Sequence, residues 1–99
     1  MEFNELAKIN RRKCKHLFGI LVRNKREAYG FPVSELARRL QKTEADIRRL
    51  ESGQHRITQE FFEKVNESLS IEQAELHDIF EVVKVEYLLE FAKGLTFHA

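Results

Sequence analysis

The chain is short of the residues that punctuate and cross-link a fold. Its 99 residues include one proline, four glycines, one cysteine and no tryptophan. The single cysteine, Cys14, excludes an internal disulfide framework and fits a reducing compartment, so a cytoplasmic protein is expected. So little proline and glycine argues against many short strands joined by tight turns and favours helices. No apolar run approaches the ~18 residues of a membrane span, and the N-terminus lacks the apolar core of a signal peptide. A membrane partner is therefore not expected. Enzyme signatures are missing too, among them a glycine-rich phosphate loop and a G-x-S-x-G elbow. Cys14 and His16 form one pair without the further ligands a zinc site needs, and His55, His77 and His98 stand far apart. A non-enzymatic chain with no cofactor and no metal is expected. What is present is 42% hydrophobic and 33% charged, a globular profile of a size that suits one domain spanning 1–99.

The net charge of +1 conceals a division. Residues 1–56 carry 14 Lys/Arg against 7 Asp/Glu, while residues 57–99 carry 3 Lys against 9 Asp/Glu. Such asymmetry suggests that one end meets a polyanion and the other faces away from it.

Apolar residues recur at helical spacing as Leu6, Ile9, Cys14, Leu17, Phe18, Leu21 and Val22. They predict helix from Glu2 to Tyr29 with a possible break near Asn10–Lys13, where four polar residues sit together. Gly30 is placed to end it as a left-handed cap. Pro32 opens a short helix over Val33–Leu40, with Leu36, Ala37 and Leu40 inward. After Gln41-Lys42-Thr43, the Thr43…Asp46 spacing is a capping box that starts a helix over Glu44–Ser52. Ile47 and Leu50 form its buried side, and Gly53 ends it. Thr58 caps a fourth helix carrying Phe61, Phe62, Val65 and Leu69, and Ser70 with Gln73 suggests a second capping box for a fifth.

Two short helices separated by a three-residue turn form a helix-turn-helix pattern. Ala37 is small where the two helices must cross, and Ile47 and Leu50 lock the second helix against Leu36 and Leu40. Its N-terminus and outer face are left in solvent, a geometry that can present a rigid helix to a DNA major groove.

The run Leu36-Ala37…Leu40…Thr43…Ile47…Leu50-Glu51…Gly53 resembles the phage repressor and Cro type of helix-turn-helix domain (XRE-like). Arg26, four residues before Gly30, and the apolar Phe62, Val65, Leu69 and Leu76 extend the resemblance over about residues 17–80. It implies an all-α, five-helix DNA-binding domain, usually dimeric, that regulates transcription. Here that domain would carry an N-terminal helical extension and an extended C-terminal helix. The resemblance also implies an ion pair between Arg26 and Glu51. Each of these lies beside an apolar position of its own helix, Val22 and Leu50, which would draw both partly under the fold.

This chain departs from the family at several positions. A polar cap is usual where Pro32 stands, a Gln is frequent at Val33, and a Pro is frequent near Ile57. The exposed start of the recognition helix is Glu44-Ala45-Asp46, which puts carboxylates where base-reading residues are usual. Three readings fit these acids. They oppose the positive end of the helix dipole, each worth about 0.3–1 kcal/mol; or they accept from cytosine N4; or the surface binds a protein. Capping suits Asp46, and Glu44 stays open between the readings.

The DNA-binding candidates are Thr43, Glu44, Ala45, Arg48, Arg49, Gln54, His55 and Arg56. Among them Arg49 is placed for guanine and Arg48 for a backbone phosphate. Gln54-His55-Arg56 matches a family loop that touches the sugar-phosphate backbone. A solvated polar surface is the plain alternative for all of these basic and loop residues. The basic run Arg11, Arg12, Lys13, Lys15 and His16 either flanks the duplex or is a solvated helix face.

In the tail, Leu76, Phe80, Val83, Tyr87, Phe91 and Leu95 form one helical stripe. Val82, Val85, Leu88, Leu89 and Ala92 form another, nearly opposite. A surface helix needs only one apolar stripe. The second is expected to be covered by another copy of the chain, making residues 81–99 a dimerisation segment. Val83-Lys84-Val85-Glu86-Tyr87 also alternates as a strand would, but the helical spacing persists longer.

The expected function is a homodimeric, sequence-specific DNA-binding transcriptional regulator on a palindromic operator. The alternative is a protein-interaction module on the same scaffold, such as an anti-repressor or antitoxin.

Overall fold

A computed structural model describes residues 2–97, with side chains as far as Lys93. The side chain of Leu95, on the first tail stripe, and the whole of His98 lie outside that description. Among the described residues there are six helices and no strand: α1 (Phe3–Leu6), α2 (Arg11–Ala28), α3 (Val33–Leu40), α4 (Glu44–Glu51), α5 (Gln59–Ser68) and α6 (Gln73–Phe97).

The break in the first helical stretch falls at residues 7–10, because Asn10 is an N-cap whose side chain accepts from the Lys13 N–H at 3.0 Å. The polar run that follows opens α2 instead of interrupting it. Four helices then stop in one way. At Gly30 (φ 72°), Gln41 (φ 55°), Gly53 (φ 79°) and Ser70 (φ 50°) the chain turns left-handed. The following amide reaches back to a carbonyl five residues earlier, as Phe31 N–H does to Arg26 at 3.0 Å and Gln54 N–H to Arg49 at 2.8 Å.

That geometry corrects one expected element. Ser70 is consumed in ending α5, so it cannot cap α6. The last helix starts at Gln73, and the Glu75 carboxylate accepts from the Glu72 N–H at 3.0 Å in its first turn.

One contiguous core runs from Phe3 to Val83. At its centre Phe3, Phe18 and Phe62 meet with ring centroids 5.1–6.4 Å apart. Phe3 and Leu6 of the short α1 are fully buried there, each burial worth about 1.5–3 kcal/mol. The N-terminal extension is thus packed into the fold.

The tail is helical throughout its described part, which removes the strand alternative. Its first stripe needs a second correction. Leu76, Ile79 and Val83 are buried and Phe80 partly so, but Tyr87 and Phe91 are 54% and 60% exposed. The reason is length: 25 residues of helix extend about 37 Å, and the core ends at Val83. The radius of gyration, 15.1 Å, exceeds the ~13 Å of a compact chain of this size because α6 overhangs.

Candidate nucleic-acid interface

Helix α4 owes its start to a complete capping box. Thr43 Oγ1 accepts from the Asp46 N–H at 3.1 Å, and the Asp46 carboxylate accepts from the Thr43 N–H at 3.2 Å. Those bonds, chiefly the one from the Thr43 backbone, hold the Asp46 carboxyl below its ordinary 3.8. Asp46 also takes a hydrogen bond from Arg49, and the His55 ring nitrogen lies 3.8 Å away. The capping role read for Asp46 is what the geometry contains.

Three contacts fix the rest of α4. Ile47 and Leu50 are fully buried. Glu51 receives two bonds from the Arg26 fork, Nε at 2.6 Å and Nη2 at 3.1 Å, while Arg26 Nη1 donates to the Phe31 carbonyl at 2.9 Å. Both side chains are nearly enclosed, at 12% and 10% exposure. Finally, α2 and α4 touch at Gly19. A Cβ there would stand 2.5 Å from the Leu50 carbonyl oxygen and 2.7 Å from that of Glu51. Reading the apolar pattern misses Gly19, although a glycine inside a helix costs about 1 kcal/mol against alanine and marks a close approach. Gly53 is a second such point, since a Cβ on it would meet the His16 Cα at 2.9 Å.

With its inner face pinned, α4 turns its N-terminal and outer surface to solvent. Glu44, Ala45, Arg48 and Arg49 are all exposed. At 100° per residue Ala45 lies opposite the Ile47–Leu50 side, and the two arginines flank it. They are not free charges: Arg48 pairs with Glu44 at 3.5 Å and Arg49 with Asp46. Gln54 and Arg56 are exposed in the following loop. His55 is half-buried with its ring 5.0 Å from Phe61 and one nitrogen on the Arg56 carbonyl. Thr43, Glu44, Ala45, Arg48 and Arg49 are thus exposed at the start and outer side of α4, and Gln54 and Arg56 in the loop after it, while His55 props that loop.

On α3 and its exit the cations are held as well. Arg38 and Arg39 share Glu35 at 2.6 and 2.9 Å, Arg39 stacks 4.3 Å over Phe31, and Lys42 lies 5.1 Å over Phe61. The acidic half does not simply face away. Glu75 binds Lys25 at 2.7 Å and Glu86 binds Lys13 at 3.5 Å, which ties α6 to α2. On α6, Val82, Val85, Leu88 and Leu89 are 45–57% exposed, and Ala92 is exposed beside them.

Among the described residues no helix is long and apolar enough to cross a membrane, and no group of three or more His, Cys, Asp or Glu could hold a metal ion. Residues 22–75 match a protein-family model described as helix-turn-helix. No curated protein and no solved structure matches the chain significantly.

Proposed function

The chain belongs to the helix-turn-helix family of phage repressor and Cro type, whose domain implies DNA binding, and from that premise we propose that it is a homodimeric, sequence-specific transcriptional regulator. One observation carries the reading: α4 is fixed from behind by the Arg26–Glu51 fork, the Gly19 contact and two buried side chains, while its outer face stays open. A rigid helix offered by its N-terminal half is what major-groove readout uses. Arg49 is the base-reading residue of this proposal. Exchanging its exposed bond to Asp46 for a bidentate contact to guanine costs little, since exposed helix pairs are worth about 0.3–0.5 kcal/mol. Arg48 and Arg56 serve the backbone, and Thr43, Glu44, Ala45, Gln54 and His55 shape the surface between them. The site of action is then wherever the cell keeps its DNA.

The dimer is assigned to α6. Val82, Val85, Leu89 and Ala92 are spaced 3, 4 and 3 residues apart, the a/d alternation of a two-helix seam, with Leu88 beside it. In this reading residues 81–99 assemble the dimer while the rest carries DNA, and a two-fold dimer puts half-sites about 34 Å apart on a palindromic operator.

Selection from random duplexes, followed by binding of the selected site, tests the proposal. A palindrome is expected. Arg49→Ala should relax base preference at a cost of roughly 1–3 kcal/mol, whereas Arg56→Ala should weaken all duplexes alike. In sedimentation the Val85→Glu/Leu89→Glu variant should be monomeric where the native chain is dimeric. Selection that yields no consensus removes sequence specificity. A native chain monomeric at tens of micromolar removes the dimer. Failure to bind any duplex turns the surface over to a protein partner.

A further inference from the structure

Nine arginines are spread along the chain, and six of them (Arg23, Arg26, Arg38, Arg39, Arg48 and Arg49) have carboxylate partners. Arg11 and Arg56 make no ion pair among the described residues, and neither does Lys15. These three cations line one cleft of about 450 Å³, together with Asn4, Thr58 and Gln59. No acid lines it.

The cleft is built. Arg11 is oriented by a 2.9 Å bond to Asn4 Oδ1 and by the Phe3 ring 5.4 Å from its guanidinium carbon. The Phe3 N–H in turn donates to Gln59 Oε1 at 2.8 Å, which fastens α1 to the start of α5. Lys15 lies one turn after Arg11 on α2. Its neighbour His16 abuts Gly53, so this end of α2 is pressed against the loop that follows the recognition helix. The N-terminus of α5, the positive end of its dipole, borders the same space. Converging cations with no counter-charge repel one another, and an anion between them relieves that repulsion.

We infer that this cleft seats a phosphate of the DNA backbone beside the groove occupied by α4, making the N-terminal extension a clamp outside the family-matched residues 22–75. The inference rests on the DNA-binding reading. It assigns a function to Arg11 and Lys15 of the basic run, and to α1, whose Asn4 and Phe3 hold Arg11 in place. The clamp acts on affinity and is indifferent to base sequence, because phosphates carry no base identity.

The test is anisotropy of a labelled random-sequence duplex titrated across salt with the full chain. Arg11→Gln/Lys15→Gln should bind about tenfold more weakly at low salt, and the slope of log affinity against log salt should shrink by about 1 for each cation lost. Arg23→Gln/Lys64→Gln removes the same charge away from the cleft and should keep the native slope. Arg11→Lys/Lys15→Arg should restore it, which separates charge in the cleft from damage to the fold. A double Gln variant with native affinity and slope overturns the clamp and leaves the DNA reading standing. A native chain that binds no duplex overturns both.

Discussion

Removing Glu51 should cost far more than a surface charge would. In the native fold its carboxylate accepts two bonds from Arg26, at 2.6 and 3.1 Å, and the two side chains are 12% and 10% exposed. An exposed pair contributes about 0–1 kcal/mol. Here Glu51→Ala leaves a guanidinium under the fold with the Phe31 carbonyl as its remaining close acceptor, and Glu27 only at 4.0 Å. A stranded buried charge costs about 3–5 kcal/mol, and the partial exposure places this case near 3. Each kcal/mol moves the melting midpoint of a domain this size by roughly 4–8 °C, so Glu51→Ala should melt some 12 °C or more below the native chain. Arg26→Lys keeps the charge but loses the fork and should fall between the two. The paired replacement Arg26→Met/Glu51→Leu should recover most of the loss, because no charge is then stranded. Thermal melting by circular dichroism reads all of these. A loss under 1 kcal/mol for Glu51→Ala, or a double variant as unstable as the sum of the singles, would show that water screens the pair.

Gly19→Ala should destabilise, even though alanine gains about 1 kcal/mol as a helix former. Its Cβ would stand 2.5 Å from a backbone oxygen, and overpacking of this kind costs about 1–3 kcal/mol or more. A variant melting at or above the native midpoint refutes the contact. Stability should fall in acid. The carboxyls of Asp46, Glu35 and Glu75 are depressed below their ordinary 3.8, 4.5 and 4.5, chiefly by bonds from Thr43, Arg38 and Lys25. A depressed carboxyl stabilises above its unfolded value and loses that contribution as pH falls through the folded one. Urea midpoints unchanged from neutrality down through that range, or an acid loss equally large in Asp46→Asn, would count against these bonds.

The helix-turn-helix was legible because its signals are local. Pro32, Gly30, the Thr43…Asp46 spacing and Gly53 each act within one turn of where they stand, and each ends or begins a helix as its chemistry dictates. Ser70 was ambiguous for the same reason: serine suits an N-cap, yet here it occupies the left-handed end of the preceding helix. Long-range facts left weaker traces. Nothing near Phe3 says that it will meet Phe18 and Phe62, so the docking of α1 and the aim of Arg11 were hidden. Periodicity identified α6 as a helix but not where the core beneath it stops, and so Tyr87 and Phe91 appeared covered. Counting charges by halves showed the asymmetry, but counts are blind to which cations already own a carboxylate.

In the proposed regulator, affinity and recognition would be separated within the molecule. Helix α4 carries Glu44, Asp46 and Glu51 against Arg48 and Arg49, so it brings no net positive charge to a phosphate-lined groove. A helix that does not attract the backbone indiscriminately gains little from a wrong sequence, because breaking the Asp46–Arg49 and Glu44–Arg48 pairs is offset only where a base accepts the arginine. The electrostatic attraction then has to come from elsewhere, and Arg11, Lys15 and Arg56, which have no ion pair among the described residues, converge in one cleft at the front of α2. Sequence-blind attraction and sequence-dependent contact would thus sit on different elements, joined rigidly where His16 meets Gly53. In the proposed dimer the exposed α6 seam would set the spacing between two such units. Mutations in the cleft, on α4 and on the seam should accordingly change salt dependence, base preference and assembly as three separable properties.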